Sequence, residues 1–415
     1  MKKIIWVFGL LLASLGCFGQ AASGDTTSRR LLVVSGGGAR GAWGAGVVSS
    51  LIKQNGGYNA VFGTSTGSLM APLILLGDMD VLDSAYTHVT QDSIFSNNPF
   101  NVSYDAATGT VTTSLKTFKA ILRFIFGKKT FGETNNLFHL IQHFLTRSRY
   151  DSLLQLYRNK QAVLAVAVTD TRTGLLRVIY DSAFTPTDTG YNNLCRWIWA
   201  SANEPLYMSY VPMGNASYVD GGVREVVPIQ EGLIYAISHD IDAIDVVINN
   251  SKVPINQNWK VDSAGILSGL ERLLNIYNLG TVRYNESYAM LLARYFDEVG
   301  SLPHPPDAGP MIRHLDSVGR LNPDTVLRIS ELRRYLPASA AGVAAPAKRL
   351  LHMNFYCMTD DVAAKYQNEL GFIQPAMLAL LLAGKAYGAD PGQGCFSVDI
   401  DKDVMRQHVD VLSNK

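Results

Sequence analysis

The chain has almost no surplus of either charge. Lysine and arginine number 36 against 35 aspartate and glutamate, a formal net charge of +1. A nucleic-acid-binding surface would show as a basic excess, so no such partner is indicated. Charged residues make up only 17% and hydrophobic ones 47%. That balance excludes a disordered chain, which needs the reverse. Cysteine is scarce, with 4 in all. Cys17 falls in an N-terminal leader, and Cys195, Cys357 and Cys395 are too few for a disulfide framework; one pair, such as Cys357–Cys395, could close. No CxxC, HExxH or His–Cys cluster occurs, so no metal site is expected. Glycine and proline are near ordinary usage, which sets aside collagen-like and low-complexity classes. The 415 residues allow one large domain or two ordinary ones.

The leader is the first thing present. Lys2 and Lys3 precede an apolar stretch, Ile4 to Leu15, and then the small residues around Gly16-Cys17 and Ala21-Ala22. The stretch is too short to span a bilayer comfortably, and its flanks suit cleavage. Residues 1–20 therefore read as an export signal, and 21–30 as a small polar linker. Ser14-Leu15-Gly16-Cys17 partly resembles a lipobox, with Ser14 where leucine is usual. The expected location is the periplasm, the outer membrane through a lipid on Cys17, or the outside of the cell.

Strand and helix signals alternate from residue 31 onward. Leu31-Leu32-Val33-Val34 is a continuous apolar run ending in glycines, as a buried parallel strand would be. A helix rich in small residues follows from Ala39 to Leu51. Ala60-Val61-Phe62 reads as a second strand, and Thr66 to Leu76 as a very apolar helix that Pro72 interrupts. Two strand–glycine turn–helix units in succession indicate an α/β fold with a mainly parallel sheet. Further strands are expected at Ala162–Val168, Leu175–Tyr180 and Asp245–Asn249, with late strands at Leu350–Met358 and Phe396–Ile400. Helices are expected at Leu137–Leu145, Ser152–Asn159, Ala264–Tyr277 and Met377–Leu382. Pro337 to Pro346 reads as an exposed connector. The organisation expected is a catalytic domain over 31–250 and a C-terminal region over 251–415, helical with late strands, that packs on it or caps it.

Three motifs carry chemistry. Gly36-Gly37-Gly38-Ala39-Arg40-Gly41 lies between a strand and a helix. Glycines there leave main-chain N–H groups uncovered at a helix N-terminus, which favours an anion. The loop also matches GxGxxG, but a dinucleotide site needs an acidic residue about 20 positions on. No aspartate or glutamate occurs from Thr26 to Gly77, so no nicotinamide or flavin is expected. Gly63-Thr64-Ser65-Thr66-Gly67 is GxSxG between an apolar strand and an apolar helix, the setting of a nucleophile elbow. Tyr218-Val219-Asp220-Gly221-Gly222 brings one carboxylate to a glycine turn. Taken singly, it reads as an ordinary Asp-Gly turn.

Together these motifs, in this order and approximate separation, resemble the patatin-like phospholipase family over about Leu31 to Asn250. Ala200-Ser201-Ala202-Asn203-Glu204-Pro205 and the turn Asp170 to Gly174 are similar to further family segments. Ser68 departs from the small residue often found after the elbow. The resemblance implies a three-layer α/β/α fold and a serine lipid acyl hydrolase of phospholipase A or lysophospholipase type. Ser65 would be its nucleophile, Asp220 its base, and Gly63, Thr66 and Gly67 its elbow. Gly36, Gly37 and Gly38 would form the oxyanion hole, with Arg40 either adding positive potential or standing on the helix surface. It implies no cofactor or metal; the substrate partner is a phospholipid or other lipid ester, and the oligomeric state stays open.

Two other readings compete. A Ser-His-Asp esterase would need a late histidine, and His239, His304, His314, His352 and His408 are available. A surface-attached binding module could keep the same loops without catalysis. Finally, Leu115 to Phe126 places Lys116, Lys119 and Arg123 in one stripe of an otherwise apolar helix, with Lys128 and Lys129 following. This is either a helix for transient contact with an anionic membrane or a lid, or a core-packed helix with three solvated cations.

Overall fold

The computed structural model describes residues 28–251, a few positions between 277 and 289, and 349–403 without 367–368 and 392–394. The expected export signal, Cys17, the connector Pro337–Pro346 and, except for Tyr277, the helix Ala264–Tyr277 lie outside the described residues. In chain order, β1 (Arg30–Val34) is followed by α1 (Gly41–Asn55), β2 (Ala60–Thr64), α2 (Thr66–Leu76), α3 (Met79–Thr87) and α4 (Gln91–Ile94). A hairpin of β3 (Phe100–Asp105) and β4 (Thr110–Leu115) leads to α5 (Thr117–Ile125), α6 (Asn135–Phe144) and α7 (Arg147–Arg158). Then come β5 (Val163–Asp170), β6 (Leu176–Tyr180), α8 (Asp188–Ser201), β7 (Val211–Met213), β8 (Ala216–Asp220), α9 (Ile229–Ser238) and β9 (Ala243–Ile248). The later part adds β10 (Leu350–Cys357), α10 (Asp360–Lys365), α11 (Gln374–Ala389) and β11 (Cys395–Asp401).

Among the described residues, nine strands form one sheet in the order β11-β10-β9-β1-β2-β5-β8-β7, with β6 also on β5. Its centre, from β10 through β9, β1 and β2 to β5, is parallel. The other pairings are antiparallel. Alternate residues of the central strands feed two separate cores. Leu32, Val34, Val61 and Val166 pack on one side with Trp43 of α1 and Leu380 of α11. Leu31, Val33, Phe62 and Ala165 pack on the other with Leu233 and Ile237 of α9. Burial on both faces is why these strands are apolar runs rather than alternating ones. The result is the expected α/β/α sandwich with a mostly parallel sheet. The late strands β10 and β11 extend this same sheet beyond residue 250.

Four local expectations change. Arg30 belongs to β1 rather than to the linker. It pairs with Asp245 of β9, which also accepts from Tyr58 Oη at 2.8 Å and Asn354 Nδ2 at 3.0 Å. A buried carboxylate needs such partners, and this cluster ties three strands together. Pro72 does not interrupt α2, which runs on through it; packing of a buried helix outweighs one lost backbone bond. Cys357 is a buried thiol outside any disulfide. Tyr356, not Cys357, stands opposite Cys395 in the β10–β11 register.

The last change concerns Leu115 to Phe126. Leu115 ends β4, and the helix that follows faces the opposite way from a core-packed one. Arg123 is buried: its Nε donates to the Thr130 carbonyl at 2.9 Å, and its guanidinium pairs with Glu133 at 2.9 Å. Lys116 and Lys119 both reach the Asn98 carbonyl, at 3.5 and 3.2 Å. Phe118, Ile121, Phe124, Ile125 and Phe126 are exposed. The cations hold the helix to the protein, and the apolar face is outside.

Candidate active site

Three loops at the C-terminal ends of parallel strands β1 and β2 and of β8 converge, the usual place for a site in an open α/β sheet. After β1, Ser35 N–H donates to Val247 O at 3.0 Å, and Asn249 binds Ser35 twice, through its main-chain N–H at 2.8 Å and its side-chain amide at 3.0 Å. This pins the glycine loop to the end of β9. Gly36 N–H is committed to the Val226 carbonyl at 2.9 Å. Gly37 and Gly38 follow with φ of 149° and 52°. Ala39 N–H then donates to Glu369 O at 2.7 Å, and Arg40 N–H to Gly37 O at 3.0 Å. Among the described residues, the N–H groups of Gly37 and Gly38 have no acceptor, and both residues line the cavity described below.

Arg40 stands apart from both solvent and cavity. Its side chain is buried and pairs with Glu369 at 3.2 Å, and Glu369 is the member of the pair that faces the cavity. The glycine loop is thus buttressed from the far end of the chain, through both the main chain and the side chain of residue 369.

After β2 the chain turns sharply at Ser65, whose φ is 54° and ψ −121°. A non-glycine residue there is strained by roughly 1–3 kcal/mol and must be held by its surroundings. The flanking glycines allow it. A Cβ on Gly63 would lie 2.4 Å from the Gly67 carbonyl carbon, and one on Gly67 would lie 2.3 Å from the Val34 carbonyl oxygen. The Ser65 N–H donates to Ser201 Oγ at 3.0 Å, and that hydroxyl donates to Ala167 O at 2.6 Å. Ser68 Oγ, the departure noted after the elbow, donates to Ser65 O at 2.6 Å. Thr66 starts α2, with its hydroxyl 2.5 Å from Tyr86 Oη.

Asp220 closes the group. It ends β8, and its N–H donates to Asn203 O at 2.9 Å. Its Oδ1 accepts from Gly222 N–H at 2.7 Å, and the Ser65 hydroxyl is near enough to its carboxylate to draw its pKa down. Burial pushes its pKa up to about 7; the Ser65 hydroxyl and the Gly222 N–H act the other way, and the nearby Glu369 charge adds to the rise. A carboxyl group that changes protonation near neutrality beside a hydroxyl is suited to proton transfer.

Ser65, Asp220 and the three glycines lie at the head of a cavity of about 1480 Å³, counting its open mouth. Its walls are largely apolar, among them Leu73, Leu82, Ile94, Leu137, Ile141 and Phe144. No histidine lines it among the described residues. His239 is exposed and stacks on Tyr235 at 3.9 Å, and His352 pairs with Asp399 at 2.7 Å at the surface. His304, His314 and His408 lie outside the described residues. Among the described residues, no cluster of histidine, cysteine and carboxylates could hold a metal ion.

Ser201 is the residue that sequence reading passed over. It appeared only inside a block of small residues, with nothing to mark it as the support of the elbow. Ser201→Ala would leave the Ser65 N–H buried without a partner. The expected cost is about 1–3 kcal/mol of stability, read by thermal unfolding, together with a drop in turnover as Ser65 loses its fixed position.

Comparison with known proteins bears on the same segment. Residues 32–233 match the family model described as patatin-like phospholipase. A search of solved structures finds VipD from Legionella pneumophila, at 12% identity and a TM-score of 0.35, covering 89% of this chain and 68% of that one. No curated protein matches the chain.

Proposed function

Since residues 32–233 make this chain a member of the patatin-like phospholipase family, whose chemistry is lipid acyl hydrolysis, we propose that it is a serine acyl hydrolase working through Ser65 and Asp220. The observation that carries the reading is a strained serine, held through its main chain by Ser201 and Ser68, beside a buried carboxylate at the head of an apolar cavity. The cavity suits an acyl chain, and the glycine loop suits a developing oxyanion.

In the proposed cycle, the ester carbonyl sits over the N–H groups of Gly37 and Gly38. Ser65 Oγ attacks it while Asp220 takes the hydroxyl proton. The two N–H groups stabilise the tetrahedral oxyanion; one such donor is worth roughly 3 kcal/mol. As the intermediate collapses, Asp220 returns the proton to the leaving oxygen, releasing the alcohol or lysolipid. Asp220 then takes a proton from a water that attacks the acyl-enzyme and passes it to Ser65 Oγ as the acyl–oxygen bond breaks, releasing the fatty acid. Gly36 supports the loop instead of donating to the oxyanion, since its N–H is already used. Arg40 acts through Glu369 as a brace.

The same proposal treats residues 1–20 as an export signal, with Cys17 open to lipidation, 31–250 as the catalytic domain and 251–415 as its extension. The test is labelling with a fluorophosphonate probe and mass spectrometry of the products from mixed phospholipids. Wild type should be labelled and should release fatty acid and lysophospholipid, and Ser65→Ala should do neither. Labelling that persists in Ser65→Ala, or that a single histidine substitution abolishes, would defeat the dyad.

A further inference from the structure

We propose that α5 docks the protein onto an anionic lipid bilayer through the apolar stripe that the fold turns outward; this rests on the lipid-hydrolase reading above. Phe118, Ile121 and Ile125 recur at i, i+3 and i+7, and with the half-buried Leu122 they form one continuous face. Phe118 is 76% exposed, Ile125 70% and Phe126 75%. Single exposed apolar residues are ordinary, but a contiguous stripe marks an interaction surface. The orientation is fixed from behind. Lys116 and Lys119 on the Asn98 carbonyl, and Arg123 on Thr130 and Glu133, anchor the opposite side. The helix therefore presents its stripe outward.

The charge around the stripe selects the occupant. Lys129 and Lys128 stand exposed just past its end, Lys128 with its ammonium 3.9 Å from Glu133, which also pairs with Arg123, and no acidic residue occurs from Ala106 to Gly132. An aromatic and branched apolar face with lysines at its rim is the composition of a helix lying in a headgroup layer above acyl chains. No described helix is long and apolar enough to cross a membrane, so contact would be made by lying on the surface. The stripe is also close to the cavity through a short chain of contacts. Phe124 packs edge-on against Phe131 at 5.0 Å. The Phe131 N–H donates to Leu206 O at 2.7 Å. Both neighbours of the Leu206–Tyr207 pair, Pro205 and Met208, line the cavity. Docking through α5 would hold that wall of the cavity near the lipid.

The test measures partition onto phosphatidylcholine vesicles with and without phosphatidylglycerol, using Ser65→Ala protein so that nothing is hydrolysed. Adding Phe118→Ser and Ile125→Ser should lower partition at least about tenfold on both vesicle types, since two large apolar side chains leave the interface. Adding Lys128→Gln and Lys129→Gln instead should lower it about fivefold per lysine on the anionic vesicles alone. In the protein with Ser65 intact, both pairs should leave hydrolysis of a soluble short-chain ester unchanged, which reports an intact fold and site. Vesicle binding that ignores Phe118→Ser and Ile125→Ser overturns the proposal. So does a parent protein that sediments as a dimer and becomes monomeric with those changes, because a second copy then covers the stripe. Failure of the hydrolase reading would remove soluble-ester turnover and leave vesicle binding in place.

Discussion

Asp220→Asn is expected to cut kcat on a soluble ester by about 10³–10⁴, in the upper range for loss of a general base, and to make the protein more stable at pH 8. The first effect follows from chemistry: a carboxamide cannot accept the Ser65 proton, although it keeps the size of the carboxylate and can still accept from Gly222 N–H. The second follows from the raised pKa. In the fold Asp220 titrates near 7, held up by burial, against about 3.9 in an unfolded chain. Between those values the native state holds a proton that the unfolded state has released. The stabilisation that this proton represents is complete below pH 4 and is lost as pH rises through 7. Above 7 a bare carboxylate is buried, and the wild type bears that cost, on the order of a few kcal/mol at 1.36 kcal/mol per unit. The variant does not bear it. Wild-type kcat/KM should rise with pH through about 7, where the base form appears, and Asp220→Asn should lose that limb. Rate profiles and thermal unfolding at pH 5 and pH 8 check both halves. A variant that retains a tenth of the activity would remove Asp220 from the base role, and Ser65→Ala should match it in depth without the gain in stability.

The parts of this design that the sequence displays are those encoded in neighbouring residues. β1 and β2 are visible because burial on both faces demands unbroken apolar runs. The elbow is visible because two of its glycines are dictated by contacts of a few ångströms, to Gly67 itself and to Val34. Asp220 is legible only through likeness to a family, since an Asp-Gly turn alone has a simpler use. What stays hidden depends on distant partners. Arg40 meets Glu369 across 329 positions, and no local pattern announces that pair. Ser201 is one small hydroxyl in a helix, meaningful only because Ser65 lies above it. Periodicity defines the two faces of α5 but not which of them meets the protein. That is decided by Asn98, Thr130 and Glu133, which give its cations acceptors. The β3–β4 hairpin escapes notice for a related reason: its strands, of which β4 is threonine-rich, bury few residues and leave a weak apolar signal.

Gly38→Ala should reduce kcat by about 10²–10³, the loss seen when one oxyanion donor is removed, with little change in KM. Gly38 sits at φ 52°, and a methyl group on it would lie 2.2 Å from the Glu369 carbonyl oxygen. That oxygen also accepts the Ala39 N–H at 2.7 Å, so it cannot withdraw without releasing the loop. Either the 369 segment is pushed away or the loop rotates, and both turn the Gly37 and Gly38 N–H groups off the bound carbonyl. The apolar cavity is untouched, so ground-state binding of the acyl chain persists while stabilisation of the transition state is lost. A fall in kcat alone is the kinetic mark of such a change. The rise of activity through pH 7 should survive, since Asp220 is not altered, and this separates the variant from Asp220→Asn. Gly109→Ala supplies the control. Gly109 also has positive φ, at 70°, but nothing within 4 Å of an added methyl, and it lies in the turn of the β3–β4 hairpin. Its substitution should cost about 1 kcal/mol of stability and leave kcat as it was. If Gly38→Ala behaves like Gly109→Ala, the oxyanion is held by other groups, and the amide after Ser65 becomes the next donor to test.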